Sequence, residues 1–268
     1  MNYIRLKSAT HVRQLTDRLR HQPEILELQL FEKDLYEPKR VASVIRMLKE
    51  KGITVYLHHP MRWRGQYVDM MSEVPDRRDF YDWSCERLAE LCEHEQVKCV
   101  VHAHYAQTES TRLDPVRYSS KLRARIEQVH EKAADWFLWE NTTQGLFSQE
   151  NPYLISDVIK PLTLPLCMDI SHAFIAVKGD NKKLQQAVAE AYPYIKYYHV
   201  VDSQGKGHDS LSLGEGKVDW GVMLPFLQNR DFIFEIGLEN VEDCTPMVQS
   251  AHFLMQLMKR SSVNWAGS

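Results

Sequence analysis

Short β-rich runs alternate with longer stretches of helical period along this chain. The runs are Tyr3–Lys7, Ile25–Leu30, Ile53–His58, Lys98–His104, Trp136–Glu140, Leu164–Asp169, Ile195–Val201 and Phe232–Ile236. Between them lie amphipathic stretches such as Lys39–Lys51, Asp79–Glu95, Ser119–Ala134, Asn181–Tyr192 and Trp220–Gln228. A last helix is expected over Thr245–Lys259. Strands that alternate with helices predict parallel βαβ units. Several runs are apolar almost throughout, as in strands covered by helices outside and by packed side chains inside. Eight such units predict a single closed (β/α)8 barrel, an α/β fold. No Gly-rich phosphate loop follows the first strand, which argues against a dinucleotide fold and a nucleotide cofactor.

Length changes this picture little. At 268 residues the chain suits one barrel, for which roughly 250 residues is typical. No interior linker or low-complexity block divides it, so one domain is expected over 1–260, with a frayed tail over 261–268. The formal charge of −3 gives no global basic field toward nucleic acid or membrane. No apolar run reaches membrane-spanning length, and the N-terminus lacks the apolar stretch of a signal peptide. The five cysteines are scattered and fit neither a zinc ribbon nor a disulfide framework. A cytoplasmic protein with buried thiols is the expectation.

The candidate chemistry sits where the runs end. The third run ends in His58-His59, the fourth in His102-Ala103-His104, the fifth in Glu140-Asn141. The sixth ends in Asp169-Ile170-Ser171-His172, the seventh in His199-Val200-Val201-Asp202, the eighth in Glu235. In a barrel these C-terminal ends meet in one ring, the face that carries active sites. A buried carboxylate must be paired or hold metal, because an isolated buried charge is very costly. The acids outnumber the Lys and Arg on these ends. Imidazole nitrogens complete a site for a divalent transition metal. Strand alternation turns His59 away from His58 and puts His104 on the same side as His102. Helix-borne histidines such as His94, His130 and His252 read as ordinary surface or packing residues.

These ends resemble the xylose isomerase-like TIM-barrel superfamily, and within it the endonuclease IV-like branch (AP endonuclease family 2). Glu140-Asn141-Thr142 is similar to the Glu-Asn-Thr segment of that branch, and Asp169-x-x-His172-x-Phe174 to its Asp-x-x-His-x-Phe. His199-x-x-Asp202-Ser203 is similar to its His-x-x-Asp-Ser. The resemblance implies that Glu140 bridges two metals. It implies that His58 and His102 complete one site, and that Asp169, His199 and Glu235 complete the other. His172 and His208 would serve a third site, although Ser210 departs from the Asp-x-His pattern of the endonuclease. Zinc is the metal implied, as two or three ions, with manganese or magnesium as substitutes.

Two functions share these ligands. The first is a metal-dependent hydrolase of DNA phosphodiesters at abasic or damaged sites, a DNA-repair activity. The alternative is a single-metal isomerase or epimerase of sugars or sugar phosphates, with Glu140 and Glu235 as catalytic proton carriers. His58 and His102 favour the hydrolase. Arg62, Trp63, Arg64, His104, Asn141 and Asp202 are the expected substrate contacts. Arg112, Arg117, Lys121, Arg123 and Arg125 supply further positive charge after the fourth strand.

Overall fold

The computed structural model describes residues 3–104 and 114–265. Eight parallel strands close into a barrel: β1 (Arg5–Ala9), β2 (Ile25–Gln29), β3 (Thr54–His58), β4 (Lys98–His102), β5 (Phe137–Glu140), β6 (Leu166–Asp169), β7 (Ile195–Val200) and β8 (Asp231–Phe234). Neighbours pair in sequence order, and β8 pairs back to β1 through Leu6 and Phe234. The fold expected from the hydrophobic pattern is the fold observed. Several boundaries moved. The first strand begins at Arg5 rather than Tyr3, in register with β2 so that Lys7 faces Glu27. The fourth ends at His102, which leaves His104 beyond the ladder. The final helix runs Thr245–Trp265, into the stretch read as tail. Arg112 lies outside the described residues.

Two apolar cores hold the barrel. The larger lies between strands and helices and takes the outward strand residues, such as Leu26, Leu28, Leu57, Val101 and Trp139. The smaller one is the packed interior, formed by Ile25, Tyr56, Val100, Leu138, Cys167, Tyr197 and Ile233. Tyr56 and Tyr197 stack there at 4.2 Å between ring centroids. This layer takes one residue from each of β2–β8 and plugs the barrel, so nothing passes through it. Strand period two then fixes the side chains two places later to the same inward face. Those are the residues of the site.

After β3 the chain makes a small hairpin, Arg62–Trp63 against Gln66–Tyr67. Its two turn residues, Arg64 (φ 48°) and Gly65 (φ 78°), are both left-handed, the turn that suits strand twist. Arg-Gly is a weaker hairpin signal than Asn-Gly, and the sequence pattern did not reveal it. All five cysteines are buried free thiols, as expected. Among the described residues, no helix is long and apolar enough to cross a membrane.

Candidate metal centre

Counting two places from the plug layer gives Glu27, His58, His102, Glu140, Asp169, His199 and Glu235, and Lys7 follows Arg5 on β1 in the same way. Every strand therefore adds one titratable side chain to a single layer at the C-terminal end. Sequence reasoning found six of these and missed Lys7 and Glu27. The signal was present: a lone Glu in Ile25-Leu26-Glu27-Leu28 at the same offset from the plug.

Two ligand clusters form within the layer. Glu140, Asp169, His199 and Glu235 bring one ligand atom each within 4.8 Å of one another, and so do His58, His102 and Glu140. Glu140 belongs to both. Its Oε2 faces His102 Nε2 at 2.9 Å and His58 Nε2 at 3.2 Å. Its Oε1 faces His199 Nδ1 at 3.1 Å. Glu235 also meets His199 Nδ1, and Asp169 Oδ2 lies 3.9 Å from it. Asp169 divides its oxygens: Oδ1 caps the helix Ile170–Ala176 through His172 N (2.8 Å) and Ser171 Oγ (2.9 Å), leaving Oδ2 to the site.

Hydrogen-bond chemistry shows why a cation fits here. His199 Nε2 faces Glu27 Oε2 at 2.9 Å, so Nε2 carries a proton and donates it. Burial opposes a charged ring, yet Cys167 and the Glu235, Glu27 and Glu140 carboxylates raise its pKa well above the usual value, so Nδ1 also carries a proton toward three carboxylates, one that a bound cation would displace. At His58, Nδ1 lies 2.9 Å from the carbonyl of His59 and must donate. Its Nε2 faces the Glu140 carboxylate, a contact satisfied only by a second N–H or by a cation between them. The layer holds four carboxylates and one lysine. Lys7 reaches Glu235 and lies 3.3 Å from Glu27 Oε1. Lys7 offsets one of the negative charges. A divalent ion would offset two more, and the donor set of three carboxylates and an imidazole suits zinc or manganese.

The surroundings tune these groups. Burial opposes ionisation of Glu140, yet His102 and His199 hold its carboxyl well below the usual range. Burial acts likewise on Glu235, where His199 and Lys7 outweigh it. Burial disfavours the Lys7 ammonium, but Glu235, Glu27 and Glu140 raise its pKa. Burial lowers the pKa of His102, as for a neutral imidazole that donates to Glu140.

The remaining expectations divide. His104 is buried, with Nδ1 2.9 Å from Asp69 Oδ1. His59 turns outward as alternation requires and meets Ser84 Oγ at 2.7 Å. His172 and His208 face each other, Nε2 to Nε2 at 3.0 Å, and His172 Nδ1 donates to Asn141 O. Neither joins a cluster of three or more candidate ligands among the described residues. Asp209 instead accepts from Gln204 N. Asn141 ties β5 to β6, donating to Asp169 O at 3.0 Å and accepting from Asp169 N at 2.7 Å. Asp202 is wholly buried and accepts from Ser203 N, Gly214 N, Val218 N and the Trp220 indole. Its acceptors are occupied by the loop. Trp63 is not a free wedge. It stacks on Phe80 at 5.1 Å and 16°. Arg123 donates to Asp157 O, and Arg125 pairs with Asp82 on a neighbouring helix, so both belong to the outer layer.

A family model described as xylose isomerase-like TIM barrel matches residues 23–257. The chain belongs to this family. No curated protein sequence matches it. Among solved structures, this xylose isomerase-like barrel is similar to a D-tagatose 3-epimerase-like protein, with TM-score 0.76 and 16% identity over 99% of this chain and 100% of that one. It is similar to the 3-keto-D-glucoside 4-epimerase of E. coli, with TM-score 0.66 and 17% identity over 96% and 100%. A third neighbour is the IOLI protein with a bound zinc atom, with TM-score 0.69 and 14% identity over 96% of each chain.

Proposed function

We propose that this xylose isomerase-like barrel is a divalent-metal-dependent isomerase or epimerase of sugars. The observation that carries the reading is the convergence of Glu140, Asp169 and Glu235 on one His199 nitrogen. Those four residues would hold one ion. When bound, the ion polarises a sugar carbonyl and stabilises charge on its oxygen. Glu140 and Glu235 come from non-adjacent strands and can flank a substrate seated between them. Each is held ionised, so one carboxylate would take a proton from the carbon beside the carbonyl and, now protonated, would return it to the neighbouring carbon. His102 and His58 fix Glu140 through Oε2 and leave Oε1 toward the centre. Lys7 and Glu27 hold Glu235 and His199. The plug layer closes the floor and keeps bulk water from entering below.

Sequence reasoning favoured phosphodiester hydrolysis on DNA. Two findings turn the balance toward sugars. The neighbours named above include one epimerase and one epimerase-like protein, both named for sugars. Arg123 and Arg125, part of the positive charge after the fourth strand, are engaged within the helix layer rather than turned toward the barrel mouth. The test is incubation of metal-loaded protein with a panel of keto- and aldohexoses in deuterium oxide. Deuterium entering at a carbon beside the carbonyl supports the reading. Its absence across the panel, with nicking of an abasic duplex, would sink it.

A further inference from the structure

The barrel mouth over β1–β3 carries a second feature, of opposite charge to the metal layer. The loops after β2 and β3 enclose a groove of about 590 Å³ between Phe31, Glu32, Lys33, Tyr36, Arg62 and Arg64. That volume lies within the roughly 300–1,000 Å³ typical of small-molecule sites. Three cations face one carboxylate there, whereas the layer below is dominated by acids. The two guanidiniums are preorganised. Arg62 lies over the Tyr67 ring at 4.4 Å and Arg64 over Trp63 at 4.4 Å. Trp63 is fixed in turn by its stack on Phe80. Arg62 gives one N–H to Gly65 O at 3.1 Å, and a guanidinium has five. Phe31 and Tyr36 form the other wall and stay 50% and 62% exposed, although both are large and aromatic.

The loops that line the groove spring from the strands that carry the metal layer. Leu30 N donates to His58 O at 3.0 Å, and the Gln29 side chain donates to His59 O at 3.1 Å. Phe31 and Arg62 each follow a residue of that layer, Glu27 and His58, by one short step of chain. Arginine forks match phosphate oxygens, and aromatic faces suit the C–H face of a sugar. We propose that this groove is a subsite for the phosphomonoester end of a phosphorylated sugar, whose carbonyl end reaches the metal layer. The proposal rests on the sugar reading above and narrows its substrate class. The charge gradient along the barrel axis orients such a molecule, anion at the rim and hydroxyls at the ion.

The test is calorimetric titration of metal-loaded protein with fructose 6-phosphate, fructose and inorganic phosphate. The same titrations are run on an Arg62→Ala/Arg64→Ala variant and on Arg62→Lys/Arg64→Lys, with circular dichroism to establish folding. The expected result is at least about tenfold tighter binding of the ester than of fructose. The alanine variant loses that ratio and the lysine variant keeps part of it. Equal affinities for ester and sugar, no binding of either, or an ester preference that survives both arginine truncations would overturn the subsite. The deuterium experiment separates the two claims. Exchange into fructose without an ester preference leaves the sugar reading standing and removes the subsite. An arginine-dependent ester preference without exchange into any sugar does the reverse.

Discussion

Glu27 Oε2 lies 2.9 Å from His199 Nε2, and both side chains are fully buried. The contact fixes which imidazole nitrogen faces the centre. A carboxylate behind a metal-bound histidine sets its tautomer and raises its basicity, and losing such a partner costs roughly 10–100-fold in metal affinity. Glu27→Gln is expected to weaken zinc binding by about that factor. Competition with a chromophoric chelator measures it. Unchanged affinity would show that Glu27 only fills space.

Chelation should destabilise the protein as well as silence it. The layer gathers three carboxylates and an imidazole that a divalent ion would bind in the folded state alone. An ion at a hundred times its dissociation constant adds about 2.7 kcal/mol. Thermal melting should show a rise of several degrees on adding zinc or manganese to chelated protein. No shift with either ion would speak against the centre.

Asp202 is expected to act on stability. Four donors converge on its carboxylate, three of them backbone amides of the loop before Trp220. Asp202→Ala leaves them unsatisfied in a buried place, at about 1–3 kcal/mol each. Gly216 belongs to the same arrangement, since a Cβ there would lie 2.1 Å from Asp202 Oδ1. Both Asp202→Ala and Gly216→Ala should lower the melting temperature and expose the loop to proteolysis. Normal stability together with a raised KM would restore Asp202 to the substrate contacts.

The outer layer has its own pH dependence. The Arg46 guanidinium, hydrogen-bonded to Glu95, holds that carboxyl below its ordinary value and joins two helices. A depressed carboxyl contributes stability above the unfolded pKa of 4.5 and loses it as pH falls through the lower folded value. Wild-type protein should therefore lose stability relative to Glu95→Gln on acidification below about pH 4.5. Urea melts at pH 7 and pH 4 check this; parallel stability curves for the two proteins would contradict it.

The barrel was legible because strand runs and helical stretches alternate with little interruption, and because apolar runs announce buried parallel strands. The site was legible where acids and imidazoles ended those runs. Lys7 escaped because the first strand was placed two residues early, which made Lys7 a terminal residue rather than an inward one. Glu27 escaped because a single acid inside a strand does not reveal its face until the plug residue Ile25 is known. The hydrogen bonds of Asp202 and Asn141 to the surrounding chain were hidden for a shared reason. A polar residue at a strand end serves the substrate or the loop, and only its hydrogen-bond partners decide. The stack of Trp63 was hidden likewise, since its partner Phe80 lies on the following helix.

The central claim is one ion held by Glu140, Asp169, His199 and Glu235, with His58 and His102 holding Glu140 rather than a second ion. Metal content per folded chain, measured by elemental analysis on wild type, His58→Asn/His102→Asn and Asp169→Asn/His199→Asn, tests it most directly. The account expects one ion in the first, one in the second and none in the third. Two or more ions in wild type, falling when His58 and His102 are changed, would contradict it and return weight to phosphoester hydrolysis.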